Sequence, residues 1–324
     1  MFAILGSGFG LYGYLPALVD GCAQRIVLPE RYRASFFARS ELARFASGVQ
    51  WELDESAALD CADGVVLALR PLDQNEWLHR CLARSNIERL LLEKPLAHSP
   101  EAAAATFDDL IRSCKVFRIG YTFRYTPWGM QKLSALGSTR RSGSLSIQWS
   151  FCAHHFRHDL QNWKRFNATG GGVIRFYGIH IIALLAEIGY REVFLSRAFG
   201  SSPDEIEKWM AVFTGSGLPE CEVLVDTRSN VNKFLVEQSS NPSVGQTTTV
   251  FANLSDPFDL ESKSCQLTRI DQRVPILSRL CRSLWEEGAN DYEWYDATIK
   301  LWRRTEDKTR FEALSISSQL IFNR

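Results

Sequence analysis

The sequence lacks an excess of either charge. Lysine and arginine together number 37, aspartate and glutamate also number 37, and the formal net charge at pH 7 is therefore zero. A chain without net charge has no long-range field that would collect nucleic acid or an anionic membrane surface. We therefore predict no nucleic-acid partner and no membrane partner.

Long apolar runs and closely spaced cysteines are also lacking. No run approaches the roughly 18 to 20 apolar residues that span a bilayer, the nearest being Ile181 to Ala186 with its flanks. Residues 1–18 are apolar, but glycines interrupt them and the first basic residue is Arg25, so we predict folded structure here and not a signal peptide. The eight cysteines are scattered without a CxxC pair, which argues against a zinc site and fits reduced thiols in the cytoplasm.

The first third of the chain alternates short apolar runs with helical stretches. With 324 residues and 45% hydrophobic side chains, the chain is long enough for two domains. Alternation of this kind is typical of parallel βαβ units, so we predict a doubly wound parallel sheet in residues 1–120. The predicted helices include Asp73–Arg84 and Ser99–Cys114. The predicted strands are Phe2–Leu5, Arg25–Leu28, Gly64–Leu69, Arg89–Leu92 and Val116–Gly120.

Residues 121–324 follow a different pattern. One strong helix is predicted from about Gly172 to Ile188, Ser239–Gln246 is predicted as a loop, and Leu277–Gly288 and Asp291–Arg304 are amphipathic. Helix and mostly antiparallel sheet predict a second, α+β domain. Its predicted strands are Ser144–Phe151, Glu192–Phe199, Lys208–Thr214, Glu220–Asp226, Lys233–Gln238 and Thr247–Asn253.

A glycine-rich string directly follows the first predicted strand and enters a predicted helix. Glycine at position 6 permits a tight turn, glycine at position 8 allows a pyrophosphate to approach the backbone, and the helix N terminus attracts the anion. Leu11 stands where a third glycine or alanine is usual. The predicted dinucleotide-binding residues here are Gly6, Ser7, Gly8, Phe9, Gly10 and Leu11.

The end of the second strand bears on the choice between NAD and NADP. Glu30 stands where an acid would hold the ribose 2′-hydroxyl, whereas Arg31 and Arg33 could hold a 2′-phosphate. The sequence leaves both cofactors open and favours NAD slightly. The next crossover, Leu69-Arg70-Pro71, follows a buried strand at its carboxyl end and is predicted to line the nicotinamide side.

Four further motifs follow in order along the chain. They are Glu93-Lys94-Pro95 at a strand's carboxyl end, Gly120–Tyr125, Asn162-Trp163-Lys164 and the glycine-rich segment Gly170–His180. Together with the N-terminal glycines they resemble the Gfo/Idh/MocA oxidoreductases, the family of glucose-fructose oxidoreductase and inositol dehydrogenase. The resemblance covers about residues 1–190, and the last third shares only a general α+β character.

The resemblance implies a Rossmann domain, a C-terminal open-faced sheet domain and a nicotinamide cofactor that Glu93 and Lys94 help to bind. It also implies hydride transfer to or from a sugar, polyol or related carbon, with Lys94 as the central catalytic residue. The chemistry is independent of the resemblance, because reducing a carbonyl leaves an alkoxide that needs a proton. A partly desolvated lysine with a lowered pKa can supply it.

The chain departs from the family at Phe176. Relatives carry an aspartate four residues before the histidine, and here that position holds phenylalanine. We predict that Lys94 and His180, helped by Tyr177 one turn before the histidine, carry out the reaction with Phe176 as an apolar wall. The alternative is a protein that kept the fold and lost the redox step.

The remaining predicted substrate-binding residues surround these motifs. With Lys94, Phe176 and His180, the predicted set includes Arg124, Tyr125, Trp163 and Lys164. We consider a metal site for three nearby histidines, His154, His155 and His158. Because this segment is predicted to be a loop that follows a strand, and because a clear fourth ligand is lacking, no metal is predicted.

These features, with the resemblance, predict a cytoplasmic NAD(P)-dependent oxidoreductase that acts on a sugar or sugar derivative. The resemblance also suggests a nucleotide-linked ketosugar as the substrate. A non-catalytic dinucleotide- or sugar-binding regulator is the alternative, supported by the lost aspartate. Reduction of an imine is a third hypothesis, for which an apolar wall would be suitable. The exposed face of a half-buried sheet predicts a homodimer or homotetramer.

Overall fold

The computed structural model describes residues 1–22, 24–135, 143–240, 247–259, 270–286 and 291–314. The strands are β1 Phe2–Leu5, β2 Ile26–Pro29, β3 Val49–Glu52, β4 Gly64–Leu67, β5 Arg89–Leu92, β6 Val116–Ile119, β7 Ser144–Cys152, β8 Glu192–Gly200, β9 Ile206–Thr214, β10 Glu220–Asp226, β11 Arg228–Ser239, β12 Thr248–Leu254 and β13 Thr309–Ala313. The helices are α1 Leu15–Cys22, α2 Arg33–Phe37, α3 Glu55–Asp60, α4 Pro71–Leu82, α5 Pro100–Arg112, α6 Pro127–Ala135, α7 His154–Arg157, α8 Ile179–Ile188, α9 Val274–Arg282 and α10 Tyr292–Lys308.

Six parallel strands form the first sheet, in the order β3-β2-β1-β4-β5-β6. This is the strand order of dinucleotide-binding doubly wound folds, and ligands of such sheets bind where the order reverses, outside the carboxyl ends of β1 and β4. Every residue of β1, β2 and β4 is buried, because helices cover both faces of a parallel sheet. The predicted doubly wound sheet is confirmed.

Seven strands form the second sheet, in the order β12-β11-β7-β10-β9-β8-β13. Among the strands that the structure describes, only β7 with β10 and β8 with β13 pair in parallel, so the predicted mostly antiparallel sheet is also confirmed. Burial alternates along β10, which shows that one face of the strand is covered and the other is open. The apolar helix α8 is buried along most of its length.

Contacts divide the chain into two compact units. The first comprises Met1–Ala97, Ala103–Thr126 and Phe258–Tyr292, and the second comprises His98–Ala102, Pro127–Pro257 and Glu293–Arg324. Helix α9 thus belongs to the first unit, where its apolar side chains share a core with those of α1. The domain boundary at residue 120 stays a prediction. The first unit also includes Phe258–Tyr292, and no local sequence pattern indicates that this segment packs with the N-terminal residues.

Two strands have no counterpart among the predictions, and both lie at sheet edges. Strand β3 consists of Val-Gln-Trp-Glu and β13 of Thr-Arg-Phe-Glu-Ala, and neither contains a fully buried residue. Edge strands of this kind carry no continuous apolar run, so hydrophobic periodicity does not indicate them. Most of the predicted loop Ser239–Gln246 and the end of the predicted helix Leu277–Gly288 lie outside the described residues.

None of the helices that the structure describes combines the length and the apolar character needed to cross a membrane.

Candidate functional site

The glycine-rich turn joins β1 to a π-helical turn, Gly10–Tyr14, that continues into α1. Gly6 has a φ of +134°, and a Cβ there would lie 2.2 Å from the backbone oxygen of Ala68, so only glycine fits. A Cβ on Gly8 would meet nothing within 4 Å. The turn is therefore closed by β4 at Gly6 and open to a ligand at Gly8.

The helix that follows the turn begins without a side-chain cap. Phe9 occupies the N-cap position and makes no capping hydrogen bond through its side chain. The amides of an uncapped N terminus carry a partial positive charge and suit an anion. Ser7 and Gly8 are exposed, whereas the Leu11 side chain is fully buried in the core and could contact a ligand only through its backbone.

Opposite charges are paired at the end of β2. Glu30 pairs with Arg33 at 2.6 Å, and Arg31 pairs with the buried Glu55. Each candidate for ribose or 2′-phosphate recognition thus already has a partner of opposite charge, so the geometry leaves the choice of cofactor open. The Tyr32 hydroxyl accepts a hydrogen bond from the Gly6 N–H at 3.1 Å and holds the glycine-rich turn against β2.

The loop after β4 runs directly into α4. Pro71 is the first residue of that helix, and Arg70 pairs with Asp73 at 2.7 Å in its first turn. Leu69 is partly exposed. These three predicted residues, Leu69, Arg70 and Pro71, lie at the carboxyl end of β4, next to the glycine-rich turn.

The Glu93-Lys94 pair is held at the carboxyl end of β5 by a hydrogen-bond network. The Tyr14 hydroxyl donates to Glu93 Oε1 at 2.6 Å, and the Lys94 N–H donates to Glu93 Oε2 at 3.1 Å. The Gln74 side chain closes the network by accepting from the Glu93 N–H and donating to the Glu93 carbonyl. Lys94 is half-buried, and the peptide bond to Pro95 is cis.

Burial has the largest effect on the pKa values of Glu93 and Tyr14 in this network. Desolvation raises the pKa of Glu93, although the Lys94 charge and the Tyr14 hydrogen bond act in the opposite direction. Burial and the neighbouring Glu93 charge raise the pKa of Tyr14 well above its usual value. Tyr14 is a residue that sequence reasoning missed, and the only available signal was its position one turn into the glycine-rich helix.

Arg124 and Tyr125 lie in a 3-10 turn that follows β6. Arg124 pairs with Asp291 at 2.7 Å, and the Tyr125 hydroxyl is 3.2 Å from Ser283 Oγ. Both residues therefore also tie parts of the first unit together. Their role in substrate binding stays a prediction.

In the second unit, aromatic rings and a lysine surround Phe176. The Trp163 ring packs edge-to-face at 5.3 Å, and Lys164 Nζ lies 5.4 Å from the centroid of the Phe176 ring. Asn162 caps the short turn by accepting from the Lys164 N–H. The structure thus brings Trp163, Lys164 and Phe176 together, and their role in substrate binding stays a prediction.

Tyr177 lies in a second aromatic group with a buried histidine. Its ring is 4.9 Å from that of Phe151 and is stacked 6.3 Å from that of His155, with an interplanar angle of 28°. Burial raises the pKa of Tyr177, so its hydroxyl stays protonated at neutral pH. Burial, with the charges of Lys164 and Arg165, lowers the pKa of His155 to about 4, so that imidazole is neutral.

His180 lies in the first turn of α8 and is 4% exposed. The helix approaches β9 closely here, because a Cβ on Gly178 would lie 2.8 Å from the Trp209 ring. Arg175 anchors the preceding segment through a bidentate pair with Glu306 and bonds to the carbonyls of His98 and Asn167. Arg175 is a positioning residue that the glycine motif alone does not indicate.

No group of three or more histidine, cysteine, aspartate or glutamate side chains within the described ranges is placed to hold a metal ion. The rings of His154 and His158 are 4.5 Å apart, on and just after α7. Sequence analysis predicts a loop at this point, whereas residues His154–Arg157 form a short helix.

Three solved structures of oxidoreductases resemble the chain over nearly its whole length. KijD10, a 3-ketoreductase from Actinomadura kijaniata in complex with NADP and TDP-benzene, matches with a TM-score of 0.67 at 13% identity, over 97% of this chain and 99% of that one. A myo-inositol dehydrogenase from Corynebacterium glutamicum matches with a TM-score of 0.64 at 13% identity, over 95% and 96%. An oxidoreductase from Thermotoga maritima matches with a TM-score of 0.69 at 15% identity, over 95% of each chain. The chain has the fold of these oxidoreductases.

The resemblance to the Gfo/Idh/MocA oxidoreductases is thus confirmed at the level of the fold. No protein-family model matches the sequence, and no curated protein matches it. Identities of this size do not carry activity from one protein to another, since one fold hosts many functions. The roles of the individual site residues stay predictions.

Proposed function

We propose that the chain is an NAD(P)-dependent oxidoreductase that transfers a hydride between nicotinamide and a carbonyl or hydroxyl carbon of a sugar or sugar derivative. The observation that carries the proposal is the glycine-rich turn, open at Gly8, at the point where the strand order reverses. The Glu93-Lys94 pair ends β5, the strand next to β4. The complex of KijD10 with NADP supports a nicotinamide cofactor on this fold.

The chain's own residues fit a dinucleotide. The exposed turn at Ser7 and Gly8 and the uncapped helix N terminus would hold the pyrophosphate, and Glu30 or Arg31 would contact the adenosine ribose. Leu69, Arg70 and Pro71 would line the nicotinamide side. When bound, the nicotinamide supplies or accepts the hydride.

Lys94 supplies the proton in this proposal. Reducing a carbonyl leaves an anionic oxygen, and Lys94 Nζ donates a proton to that oxygen; in the oxidation direction the neutral amine takes the proton from the hydroxyl. The backbone of Lys94 is fixed by Glu93, which Tyr14 and Gln74 hold in turn. These bonds therefore set the position from which the Lys94 side chain extends.

Within the second unit, five residues are proposed to bind the substrate. His180 and the protonated Tyr177 hydroxyl hydrogen-bond to substrate hydroxyls, while Lys164 and the rings of Trp163 and Phe176 bind the sugar by charge and apolar contact. Arg124 and Tyr125, in the first unit, are further proposed substrate-binding residues. The 3-ketoreductase with bound TDP-benzene favours a nucleotide-linked ketosugar among the possible substrates.

Compartment and assembly are parts of the same proposal. The seven cysteines in the described ranges form no disulfide with one another, which fits a reducing cytoplasm. The open face of the second sheet would pair with another copy of the chain to form a homodimer or homotetramer.

The test is turnover with purified protein. Oxidation of NADH and NADPH is followed with a panel of ketosugars and TDP-linked ketosugars, and Lys94→Ala is compared with Lys300→Ala, which removes an exposed lysine paired with Asp296. Lys94→Ala should lower kcat by about 10² to 10⁴ without loss of cofactor binding. Full turnover in Lys94→Ala would remove Lys94 from the mechanism.

The same experiment distinguishes the regulator alternative. Phe176, at the position where the family motif has an acid, lies among Trp163, Lys164 and Tyr177 and brings no charge to the site. Tight dinucleotide and sugar binding without turnover of any substrate in the panel would favour a binding protein on an oxidoreductase fold.

A further inference from the structure

An ion pair before α9 lies against the glycine-rich turn of the first unit. Arg273 Nε and Nη2 pair with the two carboxylate oxygens of Asp271 at 2.8 and 2.7 Å. The Arg273 guanidinium carbon lies 4.2 Å from the centroid of the Phe9 ring and 6.0 Å from that of Tyr12. The guanidinium is thus held along one edge by a carboxylate and across its face by an aromatic ring.

Helix α9 fixes the position of this arginine. Its residues Leu277 and Leu280 are fully buried in the same core as Leu11 and Leu15 of the glycine-rich helix. The two helices approach closely, because a Cβ on Gly21 would lie 2.6 Å from the Ser278 Cβ. Arg273, one residue before α9, is therefore carried on a packed element and not on a loose loop.

The same guanidinium influences the Glu93 carboxylate. Burial is the main effect and raises the pKa of Glu93, while the positive charge of Arg273 lowers it. Arg273 therefore lies within electrostatic range of the end of β5 as well as beside Phe9 of the turn. These two places flank the carboxyl end of β4, where a dinucleotide bound to this sheet would pass.

Arg273 is also suited to bind an anion. The ion pair uses Nε and Nη2, the Tyr12 side chain also interacts with the guanidinium, and 31% of the side-chain surface is exposed. Because a guanidinium has five N–H groups, N–H donors remain for a further acceptor on its exposed side. An arginine fork matches the geometry of phosphate oxygens, and its prior fixation by Asp271 and Phe9 reduces the entropy lost on binding. The nearby helix N terminus has no side-chain cap of its own.

We propose that Arg273 is a further dinucleotide-binding residue, whose guanidinium donates to the pyrophosphate held by the glycine-rich turn. This inference rests on the proposed function. It adds a ligand contact from a segment some 260 residues beyond the glycine motif, and it gives Asp271 the role of orienting that contact.

Binding of three probes to the full chain tests the inference. Dissociation constants for NADH, ADP-ribose and AMP are measured for the wild type, Arg273→Ala and Arg273→Lys, with NADPH and 2′-phospho-ADP-ribose used if the wild type prefers them. Arg273→Ala should weaken binding of NADH and ADP-ribose by a similar factor of roughly 10 to 100 and leave AMP within about twofold. Arg273→Lys should recover part of that loss, because it keeps the charge but not the fork.

Two further variants separate a ligand contact from indirect effects. Asp271→Asn with Arg273→Gln removes the carboxylate that Arg273→Ala would leave unpaired, and this double variant should still bind ADP-ribose weakly. Arg282→Ala, on the exposed side of α9, serves as the matched control and should bind like the wild type. Thermal unfolding without ligand confirms that each variant is folded.

Three results would overturn the inference. ADP-ribose binding that is unchanged in Arg273→Ala would show that the arginine does not contact the pyrophosphate, even if NADH binding weakened. Recovery of wild-type affinity in the double variant would assign the loss to the unpaired Asp271 charge. A wild-type protein that bound none of the dinucleotide probes would overturn the proposed function itself, and the inference with it.

Discussion

His155 shows how burial decides the state of a single side chain. It is 3% exposed, stacks near Tyr177 and lies close enough to Lys164 and Arg165 for their charges to act on it. Its imidazole is therefore neutral at pH values where an exposed histidine begins to take up a proton. Nothing in the sequence separates His155 from His154 and His158, because its difference from them is its burial.

The stability of the protein should depend on this histidine between about pH 6.5 and 4. The folded pKa is about 4, below the ordinary value of 6.5, so the unfolded chain binds the proton first and stability falls as the pH falls through this window. We expect His155 to contribute a slope of up to about 1.4 kcal/mol per pH unit there. Urea unfolding from pH 7 to 5 measures it.

One variant isolates this contribution. His155→Gln should flatten the dependence of the unfolding free energy on pH compared with the wild type. An equal slope in the wild type and in His155→Gln would show that His155 is not a neutral buried histidine.

At the scale of elements, two glycines of the glycine-rich turn have different roles: the fold requires Gly6, whereas Gly8 leaves space for a ligand. At Gly6, the left-handed φ and the 2.2 Å approach of a Cβ to the Ala68 oxygen leave no room for alanine, whereas Gly8 has neither restriction. The two glycines are alike in the motif and differ in their backbone conformation and in what surrounds them.

Alanine at each of these positions should therefore have a different effect. Gly6→Ala should lower the free energy of unfolding by roughly 2 to 4 kcal/mol, because the Cβ forces the turn away from β4. Gly8→Ala should change stability by less than about 1 kcal/mol but weaken dinucleotide binding, because its methyl group occupies the ligand's approach. Chemical denaturation and cofactor titration of both variants measure this, and equal stability of the two would contradict it.

The elements also show what a sequence can predict here. The strands β1, β4 and β5 are buried apolar runs, and this pattern alone predicts them. The sequence also places the glycine-rich turn directly after β1 and Glu93-Lys94 directly after β5. The packing of α9 on α1 could not be predicted, because an amphipathic helix indicates that one face is buried and not which partner buries it. Tyr14 and Arg273 were missed for the same reason: their contacts with Glu93 and with Phe9, respectively, join residues that are distant in the sequence.

At the scale of the whole molecule, the second sheet leaves apolar surface uncovered. Phe194 on β8 is 71% exposed, Val231 on β11 is 63% exposed and Val250 on β12 is 52% exposed. Apolar side chains at such exposure favour association when they form a continuous patch.

We expect light scattering to give the mass of a dimer or tetramer at micromolar concentration, because exposed apolar side chains such as Phe194 gain free energy when another copy buries them. Phe194→Ser should shift the equilibrium toward monomer, and Leu53→Ser, which removes an 83% exposed leucine of the first unit, serves as its control. A clean monomer mass for the wild type would contradict the predicted assembly.

The central claim is that this fold binds a nicotinamide dinucleotide at its glycine-rich turn, and thermal unfolding with NAD, NADH, NADP and NADPH in turn tests it most directly. A ligand at about 100 times its Kd adds about 2.7 kcal/mol of stability, so one oxidised and reduced pair should raise the Tm clearly. An unchanged Tm with all four dinucleotides at saturating concentration would contradict the account.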